Sequence, residues 1–161
     1  MKKKFILSLG LTFALLFIMP ENMLAQSGSG SSYNDAAGMR IEFGSKYGTF
    51  AGFTFKHFFD ATNAGEAQLL FGDGFTLLEV EYQYHGDIPN APGLKWFFGF
   101  GPGFAFGNDA TDFLLRPVGG LDYKIKNVPL NFTFDWRPAF VVTHGTDFNA
   151  ARFGLGLRYA F

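Results

Sequence analysis

Residues 150–161 constrain the fold more strongly than any other stretch, because apolar residues alternate there with polar or very small ones. One face would carry the apolar set Ala151, Phe153, Leu155, Leu157, Tyr159 and Phe161. The opposite face would carry the polar or very small set Arg152, Gly154, Gly156, Arg158 and Ala160. Successive side chains of a β-strand point to opposite sides, so a period of two indicates a strand. The stretch is therefore predicted to be a strand with one apolar face.

Seven earlier segments repeat this alternation and are separated by turn-forming residues. They are 37–44, 49–59, 66–71, 75–85, 94–106, 113–125 and 130–142. Gly, Asp, Asn and Pro concentrate between them, as expected for turns. No segment after the N-terminal region shows the 3.6-residue period of a helix. The sequence predicts an all-β domain over residues 37–161, an eight-stranded antiparallel up-and-down barrel.

The composition excludes several classes of protein. The chain has 161 residues, which is enough for one domain, and a net charge of −1, which gives no reason to expect a nucleic-acid partner. It has no cysteine, so disulfides and thiolate metal sites are excluded. The sequence contains 23 Phe and 21 Gly, yet the mean hydropathy is only slightly positive. Apolar and polar residues must therefore alternate rather than form long runs.

The N-terminus has the pattern of an export signal. Three lysines, Lys2 to Lys4, precede an apolar run over 5–19, and cleavage is predicted after Ala25. The run is shorter than the roughly 20 residues that a membrane-spanning helix needs. Residues 1–25 are therefore predicted to be a cleavable signal peptide, and the Ser/Gly-rich start of 26–36 predicts a flexible leader before the barrel.

Volume indicates which face of the strands points inward. The interior of an eight-stranded barrel is just wide enough to be filled by side chains or to hold one small ligand. The apolar set is mostly Phe, Leu, Trp and Tyr, which is too bulky to fit inside together. We therefore expect the aromatic faces to contact lipid and the glycine-rich charged faces to fill the lumen. The opposite arrangement would be a secreted soluble carrier.

The combination of a signal peptide, eight alternating segments and the terminal Phe161 resembles the small outer-membrane β-barrels of Gram-negative bacteria, of OmpA/OmpX type. The resemblance implies export through the periplasm to the outer membrane, contact with its lipids and lipopolysaccharide, and assembly by the barrel-assembly machinery through the last strand. It places both termini and the turn at 126–127 in the periplasm. The connections at Ser45, Asp73, Asp109 and Gly145 would lie outside, and their shortness disfavours an adhesin or receptor role.

A set of charged residues is predicted to face the lumen and pair there. The set is Arg40, Glu42, Lys56, Glu79, Glu81, Lys95, Arg116, Asp122, Lys124, Asp135, Arg137, Arg152 and Arg158, with Glu66 as a further candidate. Unpaired buried charges cost several kcal/mol each, so the near balance of signs predicts an internal ion-pair lattice. Arg40 and Glu42 are expected to reach the last strand, and Asp135 and Arg137 to lie beside Asp122 and Lys124. A plugged lumen is favoured over a narrow selective or proton-conducting path.

No catalytic, cofactor or metal site is predicted. Ser45, His144 and Asp147 lie on neighbouring connections, so a surface triad is geometrically possible, but Ser45 lacks the glycine pattern of a nucleophile elbow. His57, His85 and His144 show no metal-ligand spacing, and His57 and His85 are interpreted as interfacial residues at the strand ends. The chain is predicted not to be an enzyme, although a lipid-modifying enzyme remains an alternative.

Three prolines fall in neighbouring predicted strands, at Pro102, Pro117 and Pro138. Proline cannot donate a hydrogen bond to a β-ladder, so each is expected at a bulge or a broken pair. Ordinary bulging at the barrel rim is the favoured interpretation. The other is a weakened line in the wall through which a lipid chain enters, which would make the protein a binder or conduit for lipids or small hydrophobic ligands.

The favoured role of the protein is structural, or in envelope interaction, and the sequence does not indicate an oligomeric state.

Overall fold

The computed structural model describes residues 33–107, 110–143 and 147–161. Its strands are β1 (Asp35–Gly44), β2 (Phe50–Phe58), β3 (Asn63–Phe71), β4 (Thr76–Asp87), β5 (Leu94–Phe106), β6 (Thr111–Lys124), β7 (Leu130–Trp136), β8 (Ala139–Val141), β9 (Asp147–Asn149) and β10 (Arg152–Ala160). All pairings are antiparallel between neighbouring passes of the chain. β7 with β8, and β9 with β10, each form one pass, so the barrel has eight. The predicted fold class is confirmed.

The first and last passes close the barrel. Ala36 faces Ala160 at one end of the β1–β10 ladder, and Gly44 faces Arg152 at the other. Beyond the ladder, Asp35 N donates to Phe161 O at 2.9 Å, and Phe161 N donates to Asp35 O at 2.7 Å. The two ends of the described barrel are thus joined by main-chain bonds. A closed sheet has no free edge, which is the condition for a sheet to cross a bilayer.

Two predicted strands are each divided in the structure. The segment 130–142 breaks between β7 and β8, where Pro138 lacks a donor. The last pass begins at Asp147 rather than 150 and breaks at Ala150–Ala151. Asn149 and Arg152 are both buried although they are three positions apart, so one extra residue shifts the alternation there. This is the geometry of a β-bulge.

Burial alternates along each pass, with charged residues inside and apolar residues outside. In β4 the inward side chains are Leu77, Glu79, Glu81, Gln83 and His85, and the outward ones are Leu78, Val80, Tyr82 and Tyr84. The interior forms three layers along the barrel axis. Charged groups fill the middle, and apolar clusters close the ends. One cluster comprises Phe50, Leu70, Leu77, Leu114, Ala139 and Val141, and the other comprises Tyr33, Ala36, Phe58, Ala64 and Ala160.

Each predicted proline break is present in the ladders. The β4–β5 ladder lacks the pairs between Glu79–Gly103 and Tyr82–Phe100, where Pro102 lies. The pass formed by β7 and β8 pairs with β6 on both sides of Pro117 and Pro138, but not at those residues. The expectation that these prolines break ladder pairs is confirmed.

Gly101 and Gly103 are inward-facing neighbours on β5 that provide a matched pair of variants. A Cβ at Gly101 would lie 1.9 Å from Val80 O, which is main chain and cannot move aside cheaply. A Cβ at Gly103 would meet its nearest atom, in Leu77, at 3.5 Å, an ordinary contact. We expect Gly101→Ala to lower the free energy of unfolding by about 1–3 kcal/mol through overpacking. Gly103→Ala should change it much less, as urea titration of the two refolded proteins would measure; equal losses would contradict this account.

Candidate functional site

The centre of the lumen is a guanidinium surrounded by three carboxylates. Arg137, on the β7–β8 connection, lies 2.9 Å from Glu79 Oε1, 2.5 Å from Glu81 Oε1 and 2.7 Å from Asp135 Oδ1. All four side chains are fully buried. The two glutamates reach it from β4, on the far side of the barrel from β7. The contacts therefore cross the lumen and fill it.

The lattice continues from this centre toward the end of the barrel at which Asp35 and Phe161 meet. Arg40 contacts Asp135 and lies 3.6 Å from Glu66. Glu66 also contacts Arg158 and lies 3.4 Å from Lys56 Nζ. The ammonium group of Lys56 in turn lies 2.9 Å from an Asp122 oxygen. Each charge in this layer has at least one partner of opposite sign.

Toward the opposite end, Glu42 bridges two arginines. Its carboxylate accepts from Arg116 at 2.8 Å and from Arg152 at 2.5 Å. Arg116 also lies 3.8 Å from Glu79, which links this layer to the centre. The continuous lattice joins six basic and six acidic side chains of the described residues. They are Arg40, Lys56, Arg116, Arg137, Arg152 and Arg158 with Glu42, Glu66, Glu79, Glu81, Asp122 and Asp135.

Two of the residues predicted for this network lie outside it. Lys95 is at the rim, 3.1 Å from Asp87 and within hydrogen-bond distance of Ala61 O. Lys124 is half-buried and donates to Ile125 O at 3.1 Å and Val128 O at 2.6 Å in the turn after β6. Its inclusion in the lattice was wrong, because the strand ends at this residue and its side chain satisfies turn carbonyls instead.

The predicted grouping of Asp135 and Arg137 beside Asp122 and Lys124 also differs from the observed register. Asp122 faces Thr133, and Asp135 faces Gly120. The two aspartates therefore occupy different layers of the lumen. The other expected neighbours are adjacent, since Glu42 on β1 accepts from Arg152 on β10.

Neutral polar side chains occupy the remaining positions in the lattice. Gln83 donates to Glu66 at 2.9 Å, and Thr54 donates to the same carboxylate at 2.6 Å. Asn131 donates to Asp122 and accepts from Arg158. These residues continue the inward positions of their strands, so the alternation could have identified them.

His85 was placed at the membrane interface from the sequence, and this was wrong. It is fully buried in the lumen, 3.3 Å from Lys56 Nζ, with its ring centroid 5.2 Å from that of Phe97. Its position continues the inward series of β4, which was the available signal. Tyr33, before β1, donates to Asp122 at 3.0 Å. No strand periodicity covers Tyr33, so its contact with Asp122 could not be predicted from the sequence.

The candidate surface triad is only partly described, because His144 lies outside the described residues. Ser45 Oγ donates to Asn149 Oδ1 at 3.1 Å, and Asp147 contacts Lys46 and accepts from Tyr47 at 2.7 Å. Burial and this hydrogen bond raise the pKa of Tyr47 to about 12. Both groups of the triad that the structure describes thus have other partners. Among the described residues, no cluster of three potential metal ligands occurs.

The outer surface is a continuous apolar band. Phe98 is 58% exposed and Leu155 is 50% exposed, whereas the lumen residue Arg40 is 1% exposed. Outward aromatic rings also stack on one another, as Trp96 does on Phe98 with centroids 5.9 Å apart. Soluble monomers rarely expose contiguous apolar patches of more than a few hundred Å². A band on every pass of the barrel requires an apolar medium around it.

The described part of the chain contains no helix that is long and apolar enough to cross a membrane.

Two solved structures resemble the described barrel. The N-terminal β-barrel domain of Pseudomonas aeruginosa OprF matches with a TM-score of 0.57 and 15% identity, over 81% of this chain and 99% of that domain. Neisserial surface protein A, NspA, matches with a TM-score of 0.46 and 15% identity, over 82% of this chain and 99% of that one. No protein-family model and no curated protein sequence matches the chain. At this identity, the likeness to the OprF domain shows the fold alone.

Proposed function

We propose that this chain is a small outer-membrane β-barrel of a Gram-negative bacterium, with a lumen closed by its own side chains. The observation that carries the proposal is the inversion of polarity across the wall. Arginines and carboxylates are buried inside, and large apolar side chains are exposed outside. In water this arrangement would bury charge and expose hydrocarbon at once. In a bilayer the apolar band contacts lipid, and the closed ladder satisfies the backbone.

The proposed role is structural, or in interaction within the envelope, rather than transport along the axis. The central lattice spans the lumen from β4 to β7 through Arg137 and its three carboxylates. Apolar clusters lie above and below it. An ion would have to displace paired charges that are costly to separate in a buried setting.

Export and assembly are part of the same proposal. Residues 1–25 act as a cleaved signal peptide and the residues after them as a leader, and the barrel begins with β1 at Asp35 rather than at residue 37. The proposed orientation has both ends of the barrel at the periplasmic side, and the main-chain bonds between Asp35 and Phe161 are consistent with a single side for the two ends. Membrane lipids and lipopolysaccharide surround the barrel, and the strand ending in Phe161 engages the barrel-assembly machinery. The role is not catalytic, which is supported by the bond from Ser45 to Asn149.

Planar-bilayer recording tests the closed lumen. The purified native protein, inserted into a bilayer under symmetrical salt, is expected to give no sustained open-channel current because the lattice blocks the axis. Insertion is verified separately by flotation with liposomes, so that a lack of current is not mistaken for a lack of inserted protein. Gramicidin, a peptide of known conductance, verifies the recording.

Sustained, ion-selective currents that scale with the amount of inserted protein would contradict the plugged lumen and favour a conduit. Failure of the folded protein to float with liposomes would contradict the membrane location itself.

A further inference from the structure

One tyrosine and its partners close the end of the barrel at which Asp35 and Phe161 meet. We call this group the tyrosine latch and define it as Tyr33, Lys56, Phe58, His85 and Asp122. Tyr33 is buried, and its hydroxyl donates to Asp122 Oδ2 at 3.0 Å. Its ring meets Phe58 edge-on, with the centroids 5.0 Å apart. The side chain of Tyr33 thus caps the lumen at this end.

The latch holds the main chain where the first and last passes join. Asn34, the residue after Tyr33, accepts from Phe58 N through its carbonyl at 2.8 Å. Asp35 and Phe161 exchange two further main-chain bonds. These bonds lie at the outer end of the β1–β2 and β1–β10 ladders. Because Tyr33 directly precedes them, its side chain anchors the chain at the point where closure begins.

The contact between Lys56 and His85 requires a neutral imidazole. Lys56 Nζ lies 3.3 Å from His85 Nε2 and 2.9 Å from an Asp122 oxygen. An ammonium group has three donors and no acceptor, so Nε2 must be the acceptor and the ring proton must be on Nδ1. Among the described residues, Nδ1 has no hydrogen-bond partner. The closed latch therefore contains His85 without charge.

The imidazole is held between two phenylalanine rings and cannot turn away from Lys56. Its centroid is 4.7 Å from that of Phe58 and 5.2 Å from that of Phe97, and the plane of Phe97 is only 20° from its own. His85 is also fully buried. A proton on Nε2 would place an imidazolium 3.3 Å from an ammonium, where little water screens their repulsion. Protonation of His85 therefore destabilises the closed latch.

The charged and titratable side chains around His85 come from several elements. They are Tyr33 before β1, Lys56 on β2, Glu66 on β3, Glu81 and Asp87 on β4, Lys95 on β5, Asp122 on β6 and Arg158 on β10. The carboxylate of Asp122 is the nearby anion, with Oδ2 3.8 Å from Nε2. That oxygen already accepts from Lys56 and from Tyr33. An imidazolium can bond to it only by displacing one of these donors, and either displacement breaks the latch.

We propose that His85 is a proton sensor whose protonation opens the tyrosine latch, releases Tyr33 and loosens the adjacent end of the β1–β10 ladder. In the open latch, water solvates the imidazolium and separates it from Lys56, so acid favours the open form and neutral solution the closed one. Histidine is the side chain whose ordinary charge change falls between about pH 5 and pH 8. The displaced Lys56 retains Glu66, 3.4 Å away, as a partner. Arg137 and its three carboxylates are not part of the latch, so the axis stays closed.

Amide hydrogen exchange tests the latch in the native protein, refolded into nanodiscs. Exchange is measured at about pH 8 and about pH 5, and each rate is compared with that of an unfolded amide at the same pH. Protection of the Phe58 and Phe161 amides is expected to fall about tenfold or more at the lower pH. Protection of Leu155, midway along β10, should stay unchanged. Over the same range, the ring protons of His85 should titrate in nuclear magnetic resonance spectra.

Two variants remove the titrating group and each keeps one contact of the imidazole. His85→Gln offers Lys56 an amide oxygen that accepts but does not titrate, and His85→Phe keeps a ring beside Phe58. Either folded variant should lose the pH-dependent fall in protection. The matched control is His57→Gln, because His57 lies at the same end on the exposed surface, 2.8 Å from Asp35. The fall should persist in this control.

A fall that persists in a folded His85 variant, or that disappears in His57→Gln, would overturn the assignment to His85. Native protection that is the same at both pH values, or a His85 ring that does not titrate down to about pH 5, would overturn the proton-controlled latch. An equal fall at Leu155 would mean that the whole barrel unfolds, and would overturn it as well.

Discussion

Replacing Arg137 with alanine is expected to lower the free energy of unfolding by about 3–5 kcal/mol. The guanidinium is the shared partner of Glu79, Glu81 and Asp135 in the centre of the lumen. Its removal leaves three carboxylates close together in a buried setting, where they repel one another and lack solvation. Urea-induced unfolding of the protein in lipid vesicles, followed by tryptophan fluorescence, measures the loss.

A matched control is Lys46→Ala, which also removes a paired cation. Lys46 contacts Asp147 in a turn, and its side chain is 51% exposed, so solvent replaces the lost partner. We expect a far smaller change there than at Arg137. A second variant, Arg137→Ala combined with Glu79→Gln and Glu81→Gln, should recover part of the loss by removing two of the stranded charges. Equal losses for Arg137→Ala and Lys46→Ala would falsify the central role of this arginine.

Introducing arginine at Leu155 is expected to destabilise the membrane-embedded barrel by about 2–4 kcal/mol. Leu155 lies midway along the last pass, between Ile41 and Phe134 on the neighbouring strands, and its side chain is on the outer face. A guanidinium at this depth either loses its hydration in the hydrocarbon or stays hydrated by water that penetrates the bilayer, and both are costly. Unfolding in vesicles of defined composition measures the cost.

Tyr159→Arg provides the control on the same strand and the same face. Tyr159 lies two outward positions closer to the end of the barrel, next to Phe161, where arginine reaches the lipid–water interface. The expected cost there is about 0–1 kcal/mol. If Leu155→Arg cost no more than Tyr159→Arg, the outer face would not contact a hydrocarbon layer, and a soluble carrier would be the better interpretation.

The sequence predicts the fold well because its information is local. Alternation at every second residue is decided by neighbours in the chain, so it assigns Arg152 and Arg158 to one face before any pairing is known. The volume of a small barrel then selects that face as the inner one. The same rule would have placed His85 inside, since it continues the series of Glu79, Glu81 and Gln83. Its position near a predicted strand end obscured this.

Partners across the lumen could not be predicted in this way. Arg137 and Glu81 are 56 positions apart and lie on strands that do not pair, so their contact depends on the cross-section of the closed barrel. The ladder break at Pro117 and Pro138 also depends on register. Both prolines are visible in the sequence, but only the flanking pairs Gly119–Trp136 and Leu115–Phe140 show that they face each other. Lys124 occupies an inward position of the alternation, but it is the last residue of β6, so its side chain donates to turn carbonyls and does not reach the lattice.

The joining of β1 to β10 determines when the molecule can become complete. Ala36 faces Ala160, so the final contacts link residues from opposite extremes of the described chain. Until β10 is in place, every intermediate has two bare sheet margins, which readily pair with other chains. Such remote pairing also makes folding slow. Association between incomplete barrels is therefore expected to compete with folding until β10 pairs with β1 and removes both margins at once.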